Sequence, residues 1–181
     1  IYEKTSSLLN SNIIVAKQSS SKLVECIKKN ISNNSANKIF YKEDYNFVLK
    51  ENDFFLYEDQ YGSLKIPKPS IKGDFQLENA STAIATLRTL KELNIQDQHI
   101  IEGVKKAHNT ARLEEIRKGN LKDLVKDNML ICDGSHNPGG AKVLNDYLNN
   151  LNSDVHCIIG MMANKRHEEF ISYFKNIKSI T

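Results

Sequence analysis

The chain has 181 residues, 40% of them hydrophobic, and a formal net charge of +3. That length accommodates one ordinary domain or parts of two, and that composition supports a packed core and excludes wholesale disorder. Basic residues are interspersed with acidic ones and no apolar run reaches bilayer length, so neither a nucleic-acid partner nor a membrane span is expected.

The N-terminus lacks the basic-then-apolar pattern of a secretory signal. The three cysteines, Cys26, Cys132 and Cys157, lack metal-type spacing, and such a sparse, odd set fits a reducing cytoplasm. The first residue is Ile1 rather than Met, which reads as processing or as part of a longer polypeptide.

In chain order, residues 13–16 read as a short buried strand, and residues 19–29 as a helix with Leu23, Val24, Cys26 and Ile27 on its apolar face. Residues 30–37 are polar and turn-like. Residues 45–62 alternate apolar and polar side chains, which predicts antiparallel strands with Tyr61-Gly62 in or beside a turn. Pro67 and Pro69 bracket an extended segment. From Gln76 the period becomes helical, with Ala80, Ala83, Ile84, Leu87 and Leu90 on one face to about Leu93. Asp97 is the expected cap of a further helix carrying Ile100, Ile101, Val104 and Ala107.

A boundary is expected near residues 109–111, with 1–109 closing one domain and 110–181 opening another. Beyond it, residues 112–116 read as a strand, 129–132 as a buried strand, 133–138 as a loop and 140–151 as a helix. Residues 155–160 read as another buried strand and 167–177 as another helix. Strand and helix in alternation predict a parallel sheet with crossover helices. Cys132 and Cys157 fall on these strands and are expected in the core rather than as nucleophiles.

The loop Asp133-Gly134-Ser135-His136-Asn137-Pro138 carries the strongest chemical signal. Ligands of open α/β sheets bind beyond the carboxyl ends of strands, and N–H groups opening the next helix favour phosphate. Asp133 is a candidate for ribose or a cation, and His136 for a phosphate oxygen. Asp and Asn are also ordinary turn and helix caps, so local chemistry leaves both readings open. Gln76 and Asn79 share one face of a helix start and suit the edge of a purine, with capping or solvation as the alternative. Arg112 has the planar fork that binds phosphate, against a surface ion pair. Lys165 follows the 155–160 strand as a further candidate for phosphate. His99, His108, His156 and His167 show no partner spacing and receive no role.

Together these pieces resemble the folylpolyglutamate synthase/dihydrofolate synthase family of the Mur ligase superfamily. Residues 73–80 (Gly-Asp-Phe-Gln-Leu-Glu-Asn-Ala) resemble the family's Gly-x-His-Gln-x-x-Asn-Ala helix start. Arg112-Leu113-Glu114 resembles Gly-Arg-Leu-Glu/Gln, residues 133–138 resemble Asp-Gly-Ala-His-Asn-Pro, and residues 160–165 resemble Gly-Met-Leu-x-x-Lys. Phe75 stands where the family usually has His, Ala111 where it has Gly, and Arg166 where it has Asp. Glu3-Lys4 resembles the start of Glu-Lys-Ala-Gly-Ile, but Thr5-Ser6-Ser7 follows.

The resemblance implies an α/β fold: the tail of a Mur-ligase-type central ATPase domain, then the first half of a Rossmann-like C-terminal domain. It implies ATP and Mg2+ as cofactors, and ligation of L-glutamate to dihydropteroate or folyl (poly)glutamate through an acyl phosphate. It further implies that Asn79 contacts adenine, Arg112 and His136 the phosphates, and Asp133 the ribose or its neighbourhood. His136 and Lys4 become catalytic candidates, and Lys4, as a carbamate, a magnesium ligand. No Gly-x-x-Gly-Lys-Ser/Thr phosphate loop occurs in the sequence, so an upstream chain carrying one is an expected partner. The alternatives are a related Mur-type amide ligase with other substrates, and a decayed or split-gene product inactive alone.

Overall fold

The computed structural model describes residues 11–50 and 53–181. Lys4 lies outside them. The chain divides into two compact units, one of Ile1–Ser70 with Asp74–Ala107, the other of Ile71–Gly73 with His108–Thr181.

The first unit opens with a β-α-β turn of chain. Strand β1 (Ile13–Val15) pairs in parallel with β2 (Lys38–Phe40), and helix α1 (Ser21–Asn30) makes the crossover. Ser20 caps α1 by accepting from Leu23 N–H at 3.4 Å. Ile13, Val15, Ile27, Ile31 and Phe40 form the core of this piece. The segment of β2 is too short for its alternation to be read from sequence. Strands β3 (Tyr45–Leu49), β4 (Phe54–Asp59) and β5 (Gly62–Pro67) follow as an antiparallel meander. Gln60 and Tyr61 form the tip of the second hairpin, where Gly62 has a φ of 115° and Asp59 Oδ1 accepts from Tyr61 N–H at 2.8 Å.

Side chains alternate along these strands, so Phe55, Tyr57, Leu64 and Ile66 all enter one core. Helix α2 (Phe75–Thr89) contributes Leu77, Ile84 and Ala85 to it, and helix α3 (Asp97–Lys106) contributes Ile100. Ala83, expected on the apolar face, is exposed, and Ser81 is buried instead, its hydroxyl donating to the Leu77 carbonyl at 2.7 Å. A buried hydroxyl satisfied within its own helix mimics an apolar residue, which shifts the apparent stripe by two positions. The cap of α3 is also displaced by one residue: Gln96 precedes the helix and donates its N–H to His99 Nδ1 at 3.2 Å.

The second unit differs more from expectation. Strands β6 (Glu114–Glu115) and β7 (Ile131–Cys132) pair antiparallel, with helix α4 (Asn120–Val125) between them in sequence. The parallel arrangement expected for residues 129–132 is therefore corrected, and the segment is not buried: Met129 and Cys132 are exposed. The reason is local. The strand spans only two residues, is hydrogen-bonded on one side, and turns at Asp133, so neither face is covered by a sheet. Likewise β8 (His156–Cys157) is far shorter than the expected strand, and Ile158 is 92% exposed. Strand β8 does pair in parallel, with β9 (Ser179–Ile180), through helix α6 (His167–Ile171). Helix α5 (Pro138–Asn149) packs against α6 around Ala141, Leu148, Phe170 and Phe174.

Candidate functional site

The site is built where β7 ends. Asp133 is half-buried, and both of its carboxylate oxygens accept main-chain hydrogen bonds. Oδ1 takes Ser135 N–H at 2.9 Å, and Oδ2 takes Leu113 N–H at 2.9 Å. The first bond shapes the loop after β7. The second reaches across to the turn before β6. Gly134 reinforces that junction, since its N–H donates to the Ala111 carbonyl at 2.7 Å. A Cβ at position 134 would stand 3.3 Å from that same oxygen, so the close approach favours glycine.

The turn held in this way is unusual. Ala111 has φ of 55° and Leu113 has φ of 48°, both in the left-handed region. Each such residue costs roughly 1–2 kcal/mol relative to ordinary backbone. Hydrogen bonds to charged groups contribute about 1.5–3 kcal/mol each and offset this. Two carboxylates supply them: Asp133 to Leu113, and Glu114, whose Oε2 accepts from Ala111 N–H at 2.7 Å. Leu113 is 2% exposed and anchors the turn in the unit.

Between these two residues stands Arg112, exposed to solvent. Its guanidinium has no hydrogen bond or ion pair among the described residues, so the expected alternative of a surface salt bridge does not apply there. The acidic residue with cationic partners is Glu115, which binds Lys72 at 3.1 Å and Arg117 at 3.3 Å. These hydrogen bonds, Lys72 foremost, hold the Glu115 carboxyl below its ordinary range.

His136 is exposed on the same loop as Asp133. Its Nδ1 lies 2.9 Å from the Gly134 carbonyl. A carbonyl only accepts, so Nδ1 carries the hydrogen and Nε2 is left for a ligand. Asn137 is the N-cap of α5, its Oδ1 accepting from Gly140 N–H at 2.9 Å, with Pro138 in the first helical turn. Asn137 therefore takes the structural alternative. Asp133 takes it in part, because both oxygens are engaged by the main chain.

In the other unit, Asn79 is exposed near the start of α2, and its Nδ2 donates to Gln76 Oε1 at 3.0 Å. Gln76 itself is 7% exposed, so Asn79 is the accessible member of the pair. Lys165 is half-buried, beside Arg166, which pairs with Glu169 at 2.9 Å. Among the described residues no three His, Cys, Asp or Glu side chains converge as a metal site, and no helix is long and apolar enough to cross a membrane. The described residues thus present an exposed guanidinium, Arg112, and an exposed imidazole, His136, each suited to phosphate. Sequence reasoning gave Glu114 no role; its hydrogen bond to the turn at Ala111 was signalled only by the glycine usual at position 111.

The fold matches that of solved folylpolyglutamate synthases. The structure of E. coli FolC in complex with DHPP and ADP superposes with a TM-score of 0.78 at 21% identity, covering 99% of this chain and 40% of that one. A bifunctional folylpolyglutamate synthase/dihydrofolate synthase with Mn, AMPPNP and L-glutamate bound gives 0.78 at 20% identity, again covering 99% and 40%. In sequence, a folylpolyglutamate synthase of Lacticaseibacillus casei is 33% identical over 115 residues, 61% of this chain and 25% of the relative. Over that segment the chain is similar to folylpolyglutamate synthase. It spans a quarter of that enzyme's length in the aligned segment, and less than half of the solved chains. No family model matches it.

Proposed function

We propose that this chain supplies adenine- and phosphate-handling residues to an ATP-dependent ligase that joins L-glutamate to dihydropteroate or folyl (poly)glutamate. The observation that carries the reading is Arg112, exposed and unpaired among the described residues, on a turn bonded to the His136-bearing loop. The kinship with folylpolyglutamate synthase supports the choice of reaction. In that reaction the γ-phosphoryl group of ATP passes to a carboxylate oxygen, giving an acyl phosphate and ADP. The amine of glutamate then attacks the acyl carbon, the C–N bond forms, the C–O bond to phosphate breaks, and the amine loses its proton.

In this reading Asn79 contacts adenine, and Arg112 and His136 contact phosphate oxygens. Arg112 offers a planar fork of N–H donors on a fixed positive charge, which matches phosphate oxygens. His136 has Nδ1–H spent on Gly134, so its Nε2 donates to phosphate only when the ring is doubly protonated. Lys4, outside the described residues, is the proposed magnesium and catalytic residue; magnesium supplies charge neutralisation on the phosphates when bound. The sequence holds no phosphate loop, so ligation requires one from elsewhere, on the same polypeptide or on a partner chain.

The test is transfer of labelled L-glutamate to folate or dihydropteroate by this chain joined to, or mixed with, a phosphate-loop segment. ATP-dependent product is expected, with Arg112→Ala lowering kcat/KM by about tenfold or more, the loss of one charge-assisted contact. Product with a different amino acid and carboxylate, and none with folates, would overturn the substrate assignment.

A further inference from the structure

Helix α2 starts without a side-chain cap. Asp74 precedes it in helical geometry, with φ of −62° and ψ of −28°, and its carboxylate makes no capping hydrogen bond. A first turn without a cap keeps unsatisfied N–H groups and frays more readily. Asn79 stands directly after that turn, so its side chain extends from a helix start that needs support from elsewhere. On the buried side the support is Leu77, in the core of the first unit. On the outer side it is an ion pair, in which Lys17 Nζ donates to Glu78 Oε1 at 2.6 Å. Lys17 lies in the loop between β1 and the Ser20 cap of α1, so its backbone is set by two elements. The hydrogen bond to Glu78 is the main influence that raises the Lys17 ammonium above its ordinary range. Four residues further along the same face of α2, Tyr45 Oη lies 3.2 Å from Thr82 Oγ1 and 3.3 Å from the Val15 carbonyl. The helix is thus tied to the end of β1 at Glu78 and at Thr82. Two ties on one face restrain its slide and rotation, and the first of them is adjacent to Asn79.

We infer that Lys17 is a positioning residue: through its ion pair with Glu78 it holds the uncapped start of α2 so that the Asn79 amide meets adenine. The inference rests on the reading that Asn79 contacts adenine. It assigns Lys17 an effect on the base and none on phosphate. An ammonium that bound the nucleotide itself would act on phosphate as a point charge.

Adenosine and pyrophosphate, titrated separately into the chain and its variants and followed by NMR, separate these cases. Lys17→Met keeps the aliphatic stem and removes the charge, and the Lys17 side chain is 46% exposed, so the core is left intact. The variant is expected to weaken adenosine binding about two- to fivefold, the range one exposed ion pair supports. Lys17→Arg should restore most of that loss. In an Asn79→Ala background, Lys17→Met should cost nothing further. Pyrophosphate affinity is expected to stay the same in all these proteins. Unchanged adenosine affinity in Lys17→Met, a parallel fall for pyrophosphate, or losses that multiply with Asn79→Ala would each overturn the inference. A companion measurement on the free chain needs no ligand. Asn79 amide exchange should accelerate and its backbone order parameter should fall in Lys17→Met, and no change in either would overturn the inference by itself. Absence of adenosine binding by the unsubstituted chain would refute the adenine reading of Asn79, and the free-chain measurement would still decide whether Lys17 holds the helix start.

Discussion

Arg88 lies at the C-terminal end of α2, the helix that carries Asn79, and its removal should strongly destabilise the first unit. Its side chain is 13% exposed, and the guanidinium reaches Asp59 Oδ1 at 3.4 Å and Asp97 Oδ1 at 2.8 Å. Asp97 is well exposed, so that contact contributes less than about 1 kcal/mol. Asp59 is different: its side chain is 6% exposed, and it also accepts from Tyr57 Oη at 3.0 Å and Tyr61 N–H at 2.8 Å. Removing Arg88 leaves a buried carboxylate with two neutral donors. Breaking a buried pair costs about 3–5 kcal/mol, and the two surviving donors place Arg88→Ala near the lower end, about 3 kcal/mol. The Tyr57 and Tyr61 rings, each 5.8 Å from the Arg88 guanidinium carbon, add to the loss. Against this, Arg88 Nε is buried with no partner, a cost relieved in the variant.

At roughly 2–4 °C per kcal/mol for a chain of this size, the melting temperature should fall by about 6–12 °C. Tyrosine fluorescence is a suitable readout, because Tyr57 and Tyr61 flank the cluster and the chain has no tryptophan. Urea unfolding of Arg88→Ala, Asp59→Ala and the double variant gives the coupling. A cost below about 1 kcal/mol for Arg88→Ala, or additive single costs, would refute the argument that the pair acts as a buried unit.

Ala111→Gly should stabilise the second unit by about 0.5–1 kcal/mol, the relief of a left-handed alanine less the added unfolded-state entropy, measured by urea denaturation. Asn137→Ala should cost about 1 kcal/mol through loss of the α5 cap, seen as a lower melting temperature. Burial, with Asp59 adding to it, raises the Tyr57 hydroxyl well above the usual tyrosine range, and burial raises Tyr45 as well. A raised folded pKa gives stability that is intact below about pH 10 and lost as pH rises beyond it. Unfolding free energy should therefore decline above about pH 10, and less steeply in Tyr57→Phe.

The meander of the first unit was legible because its strands are five or six residues long with one covered face, so Phe55, Tyr57, Leu64 and Ile66 recur at period two. The second unit was harder to read because its strands have only two residues. Apolar runs such as those at Met129 and Ile158 signal burial, yet both residues are exposed, since no sheet face covers them among the described residues. Helix α4, with Leu121 and Leu124 exposed, lacks the buried stripe by which a helix is recognised. At the site, the residue types pointed to the Asp133 loop and to Arg112. They did not show that the loop is bonded to the turn at Leu113, because a contact between residues twenty positions apart leaves no periodicity. The left-handed turn was hidden for a related reason: alanine and leucine rarely adopt it, and the only hint was the glycine usual at position 111 in the resembling family.

The most direct test of the nucleotide reading is a titration of ADP with magnesium into the 15N-labelled chain, followed amide by amide. Saturable shifts concentrated at Asn79, at 111–113 and at 133–137 are the predicted result, and Arg112→Ala should weaken them. Saturable shifts confined to other residues, or none at millimolar ADP, would contradict it.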